Sequence, residues 1–242
     1  MTTRIFQPMA LQPATVIQLN EQASHHLARV LRATIHDPVI IFNGQGGEYE
    51  GVIKQIEKKQ VTVEIMQHVA REVESPLEIW LAQGISRGEK MDYIIQKSVE
   101  LGVKKIIPLF TERCNVKLDH ARGEKRQEHW QSIAVSACEQ SGRNRIPEVL
   151  LPQSIDTWLM TVQAEYCFVL SPHAEQKVKE WTIPKTAQIV LLIGPEGGLS
   201  EQEMNQALQH HFFSLNLGPR IMRTETAAVA AIAALQGCFG DF

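Results

Sequence analysis

The stretch Gln188–Ser200, which reads Gln-Ile-Val-Leu-Leu-Ile-Gly-Pro-Glu-Gly-Gly-Leu-Ser, decides how this chain folds. It opens with Ile189–Ile193, a short, partly β-branched apolar run that predicts a strand buried on both faces. The glycine-rich segment Gly194–Gly198 follows directly and permits a sharp turn or a close approach to a ligand. Ser200, with Glu203 three residues later, predicts a capping box at the start of a helix. The order is therefore strand, glycine loop, helix.

A second unit of the same kind follows. We expect a strand over Phe213–Leu217, a loop over Gly218–Arg223 and a helix that begins near Thr224. This last helix contains Ala227–Cys238, a run without charge that is rich in alanine, which predicts a helix enclosed on every side. The run is too short to span a bilayer.

Length and composition are those of a globular protein of one large domain or two modest ones. The chain has 242 residues, of which 44% are hydrophobic and 21% are charged. Its four cysteines show neither C-x-x-C pairing nor metal-ligand spacing, so we expect free thiols in a reducing compartment. Without metal-ligand spacing among the cysteines, no metal is expected. The N-terminus has no signal segment and no run reaches transmembrane length, which predicts a cytoplasmic protein.

Two domains are expected, over residues 1–72 and 73–242, because the sequence pattern changes at a polar segment that ends in Ser75-Pro76. The first contains several short strands and one helix, and predicts a small β domain. The second alternates strands with helices, which predicts a parallel sheet covered on both faces. Ligands bind at the carboxyl ends of such strands. Ser171–His173, Gly194–Gly198 and Gly218–Arg223 all follow strands, so we expect these loops to converge on one pocket.

The helix of the first domain, Glu21–Arg32, is predicted to follow an Asn20 cap. Its apolar residues are expected to pack inward, while its basic residues form an exposed face. The inward set is Leu27, Val30 and Leu31, and the basic set is His25, His26, Arg29 and Arg32. A metal role is disfavoured because adjacent histidines point to different sides of a helix.

The glycine loops are poorly suited to phosphate. Gly194–Gly198 lacks the Lys-Ser/Thr of a P-loop and the G-x-G-x-x-G of a dinucleotide site, and Glu196 would repel a pyrophosphate. Such a loop suits a ligand that carries positive or little charge.

Two motifs, Ile-Gly-Pro-Glu-Gly-Gly-Leu-Ser from Ile193 and Leu-Gly-Pro-Arg-Ile-Met-Arg-Thr-Glu-Thr-Ala from Leu217, give the chain its resemblance to a known family. In this order they resemble the SPOUT methyltransferases, and among these the RsmE family, which methylates N3 of a uridine in 16S rRNA of the small ribosomal subunit. The resemblance implies S-adenosylmethionine as cofactor, a C-terminal trefoil knot in an α/β fold with a SPOUT-type parallel sheet, a PUA-like β-barrel before it, and a homodimer. The last helix, if not internal, offers closely packing residues for the dimer.

The resemblance also implies site residues. Arg223 would stabilise negative charge on a uracil carbonyl, and Glu139 or Glu225 would accept the proton. Glu225 has a second interpretation, as an acid at a helix N-terminus. The residues expected to bind cofactor are Leu170, Ser171, Pro172, Gly194, Pro195, Glu196, Gly197, Gly198, Leu217, Gly218, Ile221, Met222, Arg223, Thr226 and Ala227.

An RNA partner is consistent with the uneven charge. The net charge is −3, but Gly84–Arg145 carries 12 Lys and Arg against 8 Asp and Glu. Lys97 has a second interpretation, as the partner of Glu100 on one helix face. Cys138 has no neighbouring base and is not expected to be a nucleophile. The residues expected to bind RNA are Arg4, His25, His26, Arg29, Arg32, Arg87, Lys97, Arg113 and Arg143.

Other functions stay open at this point. One is a SPOUT enzyme that modifies transfer RNA or a ribose 2′-hydroxyl. Another is a non-catalytic RNA-binding assembly factor, which the intact glycines and the segment Arg223–Thr226 disfavour. A nicotinamide enzyme is opposed by the missing fingerprints.

Overall fold

The computed structural model describes residues 2–57, 60–116 and 120–242. The chain forms two compact units, of which the first comprises Met1–Glu74 and Cys138–Ile146 and the second Ser75–Ala137 and Pro147–Phe242. The segment Cys138–Ile146 was expected in the second domain. It lies in the first unit because its polar groups bond there, including the Asn144 side chain, which donates to the carbonyl of Arg71 at 2.8 Å.

The first unit is built on a five-stranded sheet in the order β1-β3-β4-β5-β2, in which β1 and β3 are parallel and the other pairs antiparallel. The strands are β1 (Thr3–Phe6), β2 (Thr15–Gln18), β3 (Pro38–Phe42), β4 (Glu48–Ile56) and β5 (Val61–Val69). Alternate strand residues such as Val39, Ile41, Val63 and Ile65 fill its core. The small β domain expected from the sequence is confirmed.

The predicted helix of this unit changes type halfway. α1 (Glu21–His25) is capped by the Asn20 side chain and continues as a π-helix over His26–Val30. Leu27 is buried as predicted, but Val30 and Leu31 are 60% and 45% exposed, so the prediction that they pack inward was wrong. The wider π-turn, closed by the Leu31 amide on the His26 carbonyl, rotates these positions away from the core.

The second unit is a seven-stranded parallel sheet in the order β12-β10-β11-β6-β7-β8, with β9 also paired to β7. This confirms the predicted α/β class. The strands are β6 (Glu78–Gly84), β7 (Lys105–Phe110), β8 (Glu148–Val149), β9 (Gln153–Ser154), β10 (Tyr166–Leu170), β11 (Gln188–Ile193) and β12 (Phe213–Leu215). The helices are α2 (Glu89–Glu100), α3 (His120–Ser141), α4 (Ile155–Leu159), a 3-10 turn (Val178–Glu180), α5 (Glu201–Gln209) and α6 (Thr224–Phe239). The last four residues of α3, from Cys138 onward, are counted with the first unit.

Two details of the second unit differ from expectation. β12 ends at Leu215 rather than Leu217, because the Asn216 amide leaves the ladder and donates to the carbonyl of Gln176. α6 is buried on one face only, through residues such as Ala228 and Leu235, while Gly237 and Cys238 are exposed. The expectation that α6 is enclosed on every side was therefore wrong for the single chain.

The four cysteines are free thiols, as expected. Within the described ranges, no helix is long and apolar enough to cross a membrane, and no three His, Cys, Asp or Glu side chains cluster as a metal site.

Candidate functional site

Three neighbouring strands of the second unit end at the same edge of the sheet. β10 lies between β12 and β11. In the register of the sheet, Leu170 pairs with Leu215 of β12, and Val169 pairs with Leu192 of β11. All three strands are parallel, so the loops that begin at Ser171, Gly194 and Asn216 start side by side. The three loops therefore begin at one sheet edge, as the prediction requires, and their convergence on one pocket stays a prediction.

The loop after β11 is folded so tightly that Gly194 tolerates no side chain. A Cβ there would lie 2.7 Å from the Leu199 nitrogen. The Gly198 amide closes a turn on the Pro195 carbonyl at 2.8 Å, with Gly198 at φ +70°, where glycine is favoured. The glycines therefore first serve the packing of the loop itself.

The Glu196 carboxylate holds this loop to the start of α2. It accepts from the Arg87 amide at 3.1 Å and lies 3.3 Å from the Lys90 ammonium. Partial burial raises the pKa of Glu196, but backbone hydrogen bonds and Lys90 lower it more, so the net pKa is below its ordinary value. Glu196 was expected to bind cofactor, and the contacts described here are to protein groups.

The loop after β7 is attached to the same region by two contacts. The buried Glu203 carboxylate completes the predicted capping box with Ser200 and also accepts from the Glu112 amide at 2.7 Å. The Arg113 guanidinium donates to the Gly197 carbonyl at 3.1 Å. The exposed Arg87 and Arg113 therefore flank the Gly194–Gly198 loop.

Asn216 joins the other two loops, a role that the sequence analysis missed. Its side-chain amide donates to the carbonyls of Pro172 and Ala174 at 3.1 and 2.9 Å, and its side-chain oxygen accepts from the Gly218 amide. One side chain thus fixes residues on two of the three loops. The sequence does contain a signal for this role, because an asparagine directly after a strand is typical of a turn in which the side chain bonds to nearby backbone.

The start of α6 is fixed to the end of β11 from inside the sheet. The Thr224 hydroxyl donates to the Gly194 carbonyl at 2.7 Å, and the Gln83 side chain donates to both Gly194 and Thr224. Sequence reasoning missed Gln83, because a polar residue near the end of an apolar strand carries no positional signal of its own.

The residues on either side of Thr224 in sequence differ in exposure and in hydrogen bonding. The Arg223 guanidinium is exposed and makes no hydrogen bond or ion pair with any residue that the structure describes. One Glu225 carboxylate oxygen is buried without a hydrogen-bond partner in the described ranges. Ile221 is 86% exposed, and a Cβ at Gly218 would meet no atom within 4 Å. Exposed apolar surface at Ile221 and open backbone at Gly218 suit an organic cation such as S-adenosylmethionine, and the assignment of these residues to the cofactor stays a prediction.

Glu139 belongs to the first unit, whereas Arg223 and Glu225 belong to the second. Its carboxylate accepts from the Phe6 amide at 3.0 Å. Burial raises the pKa of Glu139, although the Phe6 hydrogen bond and the charges of His26 and Arg4 oppose this effect.

Two of the arginines expected to bind RNA are engaged inside the first unit. The Arg143 side chain is 4% exposed and forms a two-point ion pair with Glu74, with distances of 2.8 and 2.6 Å. Arg4 pairs with the Glu48 carboxylate and lies over the Phe42 ring. Both guanidinium groups are thus paired within the first unit, and their contact with RNA stays a prediction.

The remaining basic residues differ in availability. Lys97 pairs with Glu100 at 2.8 Å, which is the second interpretation given above. Those with exposed side chains are His25, His26, Arg29 and Arg32 in the first unit, and Arg87 and Arg113 in the second.

Comparison with known proteins agrees with this architecture. Residues 73–236 match the family model of an RNA methyltransferase domain, and residues 19–66 match that of an RNA methyltransferase PUA domain. A relative from Buchnera aphidicola, named ribosomal RNA small subunit methyltransferase E, is 42% identical, with 98% of this chain and 97% of the relative covered.

Two solved structures are similar over the full length of both chains. One, from Legionella pneumophila and in complex with the bound cofactor SAM, has a TM-score of 0.97 at 40% identity. The other is a ribosomal RNA small subunit methyltransferase E from Neisseria gonorrhoeae bound to S-adenosyl methionine, with a TM-score of 0.93 at 39% identity. The resemblance seen in the two motifs is thereby confirmed, and the chain belongs to the ribosomal RNA small subunit methyltransferase E family.

Proposed function

We propose that the chain transfers a methyl group from S-adenosylmethionine to N3 of a uridine in 16S rRNA of the small ribosomal subunit. Membership in the family above supports the methyltransferase activity, the cofactor and the ribosomal substrate. The observation that carries the site is the junction at Thr224, whose hydroxyl bonds to the Gly194 carbonyl. That bond ties the exposed Arg223, one residue earlier, to the proposed cofactor loop.

The proposed cofactor site uses the three loops at the sheet edge. Gly194–Gly198, Leu217, Gly218 and Ile221 would hold the cofactor through backbone groups and apolar surface. When bound, S-adenosylmethionine supplies an electrophilic methyl group on a positively charged sulfur. Transfer then requires alignment of the acceptor nitrogen and removal of one proton from it.

The chain's own groups can supply both needs. The Arg223 guanidinium would stabilise the negative charge that develops on a uracil carbonyl as N3 loses its proton. The unpaired oxygen of Glu225 is one candidate acceptor for that proton, and Glu139 is the other. Glu225→Gln and Glu139→Gln, assayed across pH, distinguish the two, because only loss of the base should abolish the acidic limb of the rate profile, where the rate rises as the base loses its proton.

The RNA would meet the exposed basic residues. Arg87 and Arg113 flank the Gly194–Gly198 loop, and the first unit adds His25, His26, Arg29 and Arg32. Phosphate contacts from Arg and Lys make affinity fall with rising salt concentration. An Arg113→Ala variant should therefore bind small-subunit RNA more weakly and with a shallower salt dependence.

We also infer that the chain acts as a homodimer in the cytoplasm, and that its C-terminal region is knotted as in SPOUT enzymes. The half-exposed alanines of α6 support the dimer, since small residues allow two helices to approach closely. Sedimentation of the native chain and of Ala230→Arg tests it. A monomeric native chain would refute the dimer.

The test of function is tritiated methyl transfer to undermodified small subunits, followed by nucleoside analysis. We expect 3-methyluridine, and a labelled ribose or another base would refute N3 as the target. Arg223→Ala should lose at least about 100-fold in rate and keep its cofactor affinity. Arg220→Ala, which removes another exposed arginine of the same loop, is the matched control and should stay near native.

A further inference from the structure

We propose that the Thr224 hydroxyl and the Gln83 side-chain amide are positioning groups for methyl transfer, because they hold the start of α6 and the Gly194–Gly198 loop in one fixed arrangement. The inference deepens the proposed function and rests on it. Neither group would touch cofactor or RNA; both act through Arg223 and the loop.

The geometry is a short buried chain of hydrogen bonds. Gln83 is fully buried, and its Nε2 lies 3.0 Å from Thr224 Oγ1, 3.2 Å from the Gly194 carbonyl and 3.0 Å from the Gly84 carbonyl. Thr224 Oγ1 in turn donates to the Gly194 carbonyl at 2.7 Å. Three segments far apart in sequence therefore meet at one amide group.

The direction of these hydrogen bonds follows from the acceptors. Backbone carbonyls only accept, so the nitrogen of Gln83 must face Gly84 and Gly194, and the Thr224 hydroxyl must donate to Gly194. The amide has two N–H groups for three acceptors, so one N–H is shared between two of them. The opposite Gln83 oxygen is buried and has no hydrogen-bond partner among the described residues. Gln83 thus leaves an acceptor unpaired in the core while its nitrogen serves the junction, and a buried polar atom without a partner calls for an explanation.

The junction bears on chemistry through Arg223. Arg223 is the N-cap residue of α6, and its side chain makes no capping hydrogen bond. The next residue, Thr224, is bonded to the loop, so this bond lies one residue away from Arg223. Without the hydroxyl, the start of α6 loses this direct bond to Gly194.

The experiment compares Thr224→Val, which keeps the shape and loses the hydroxyl, with Thr224→Ser, which keeps the hydroxyl. The rate at saturating cofactor and subunits is measured together with the cofactor Kd by calorimetry. We expect Thr224→Val to lose about tenfold in kcat with cofactor Kd within about twofold of native, as for one lost hydrogen bond. Thr224→Ser should stay within about twofold of native in both. Thr224→Ala removes the hydroxyl without adding a methyl group, should the valine variant fail to fold.

A double-mutant cycle tests whether Gln83 acts through Thr224. Gln83→Met should lower kcat, and the double variant with Thr224→Val should be no slower than the slower single variant. The inference is refuted by a native kcat in Thr224→Val, by equal damage in Thr224→Ser, or by loss of cofactor affinity alone. Absence of transfer by the native chain would instead refute the proposed function.

Discussion

Replacement of Arg143 by methionine tests whether this residue serves the fold or the RNA. The Arg143 and Glu74 side chains are 4% and 9% exposed, and two hydrogen bonds of 2.8 and 2.6 Å join them. Removal of one partner breaks both hydrogen bonds of this buried ion pair, and breaking a buried pair costs roughly 3–5 kcal/mol of unfolding free energy. We therefore expect Arg143→Met to destabilise the first unit by about that amount.

The control is the ion pair of Lys54 and Glu64 in the same unit, at 2.9 Å with side chains 45% and 35% exposed. Solvent screens such a pair, so Lys54→Met should cost no more than about 1 kcal/mol. The double variant Arg143→Met with Glu74→Leu should regain much of the lost stability, because no charge then remains buried in the pair.

The assay must follow the first unit by itself. All four tryptophans lie in the second unit, so tryptophan fluorescence reports on the wrong part of the chain. Hydrogen exchange of β1 to β5, read by mass spectrometry, gives the opening free energy of the first unit directly. If Arg143→Met lowers the opening free energy of the first unit by less than about 1 kcal/mol and also weakens RNA binding, the structural role is refuted and Arg143 is an RNA contact.

Three further changes have definite expected results. Burial raises the folded-state pKa of Glu139, so folding favours its neutral form and the native chain loses stability as pH rises through that pKa. In urea unfolding at pH 7, Glu139→Gln should therefore be at least as stable as the native chain, and any gain in stability should vanish in acid. A clear loss of stability in Glu139→Gln at pH 7 would contradict this. In the same assay, Glu203→Ala should lower the unfolding free energy by about 1–3 kcal/mol, which is more than Ser200→Ala should, because Glu203 accepts from two backbone amides. Equal losses in the two variants would contradict that reasoning. Burial raises the pKa of the Cys138 thiol to about 12, so Cys138 should resist a disulfide reagent at pH 8 until the chain is denatured. Rapid labelling of Cys138 in the native chain, detected by mass spectrometry, would contradict this expectation.

Local features of the chain were predictable because they depend on neighbours in sequence. The strand, glycine loop and capped helix from Gln188 onward formed as predicted, since apolar runs, glycine freedom and capping act over a few residues. The helix of the first unit shows the limit of this reasoning. The composition of Glu21–Arg32 predicted a helix, but the π-turn that exposes Val30 and Leu31 is not encoded in apolar spacing.

Partner choice was decided by the tertiary structure. Sequence alone marked Arg143 and Glu139 as functional candidates, but it could not show that Glu74 lies against one and the Phe6 amide against the other. The adjacency of the three loops follows from strand order, which a single sequence does not state.

The sequence by itself determined the alternating pattern of the second unit, the glycine loops and, through two motifs, the family. Only the tertiary structure assigned Cys138–Ile146 to the first unit and revealed the buried junction of Gln83, Gly194 and Thr224. The physical reason is the range of the interactions. Capping, turns and periodicity are fixed by residues a few positions apart, whereas a buried hydrogen bond between distant segments depends on how the sheet brings those segments together.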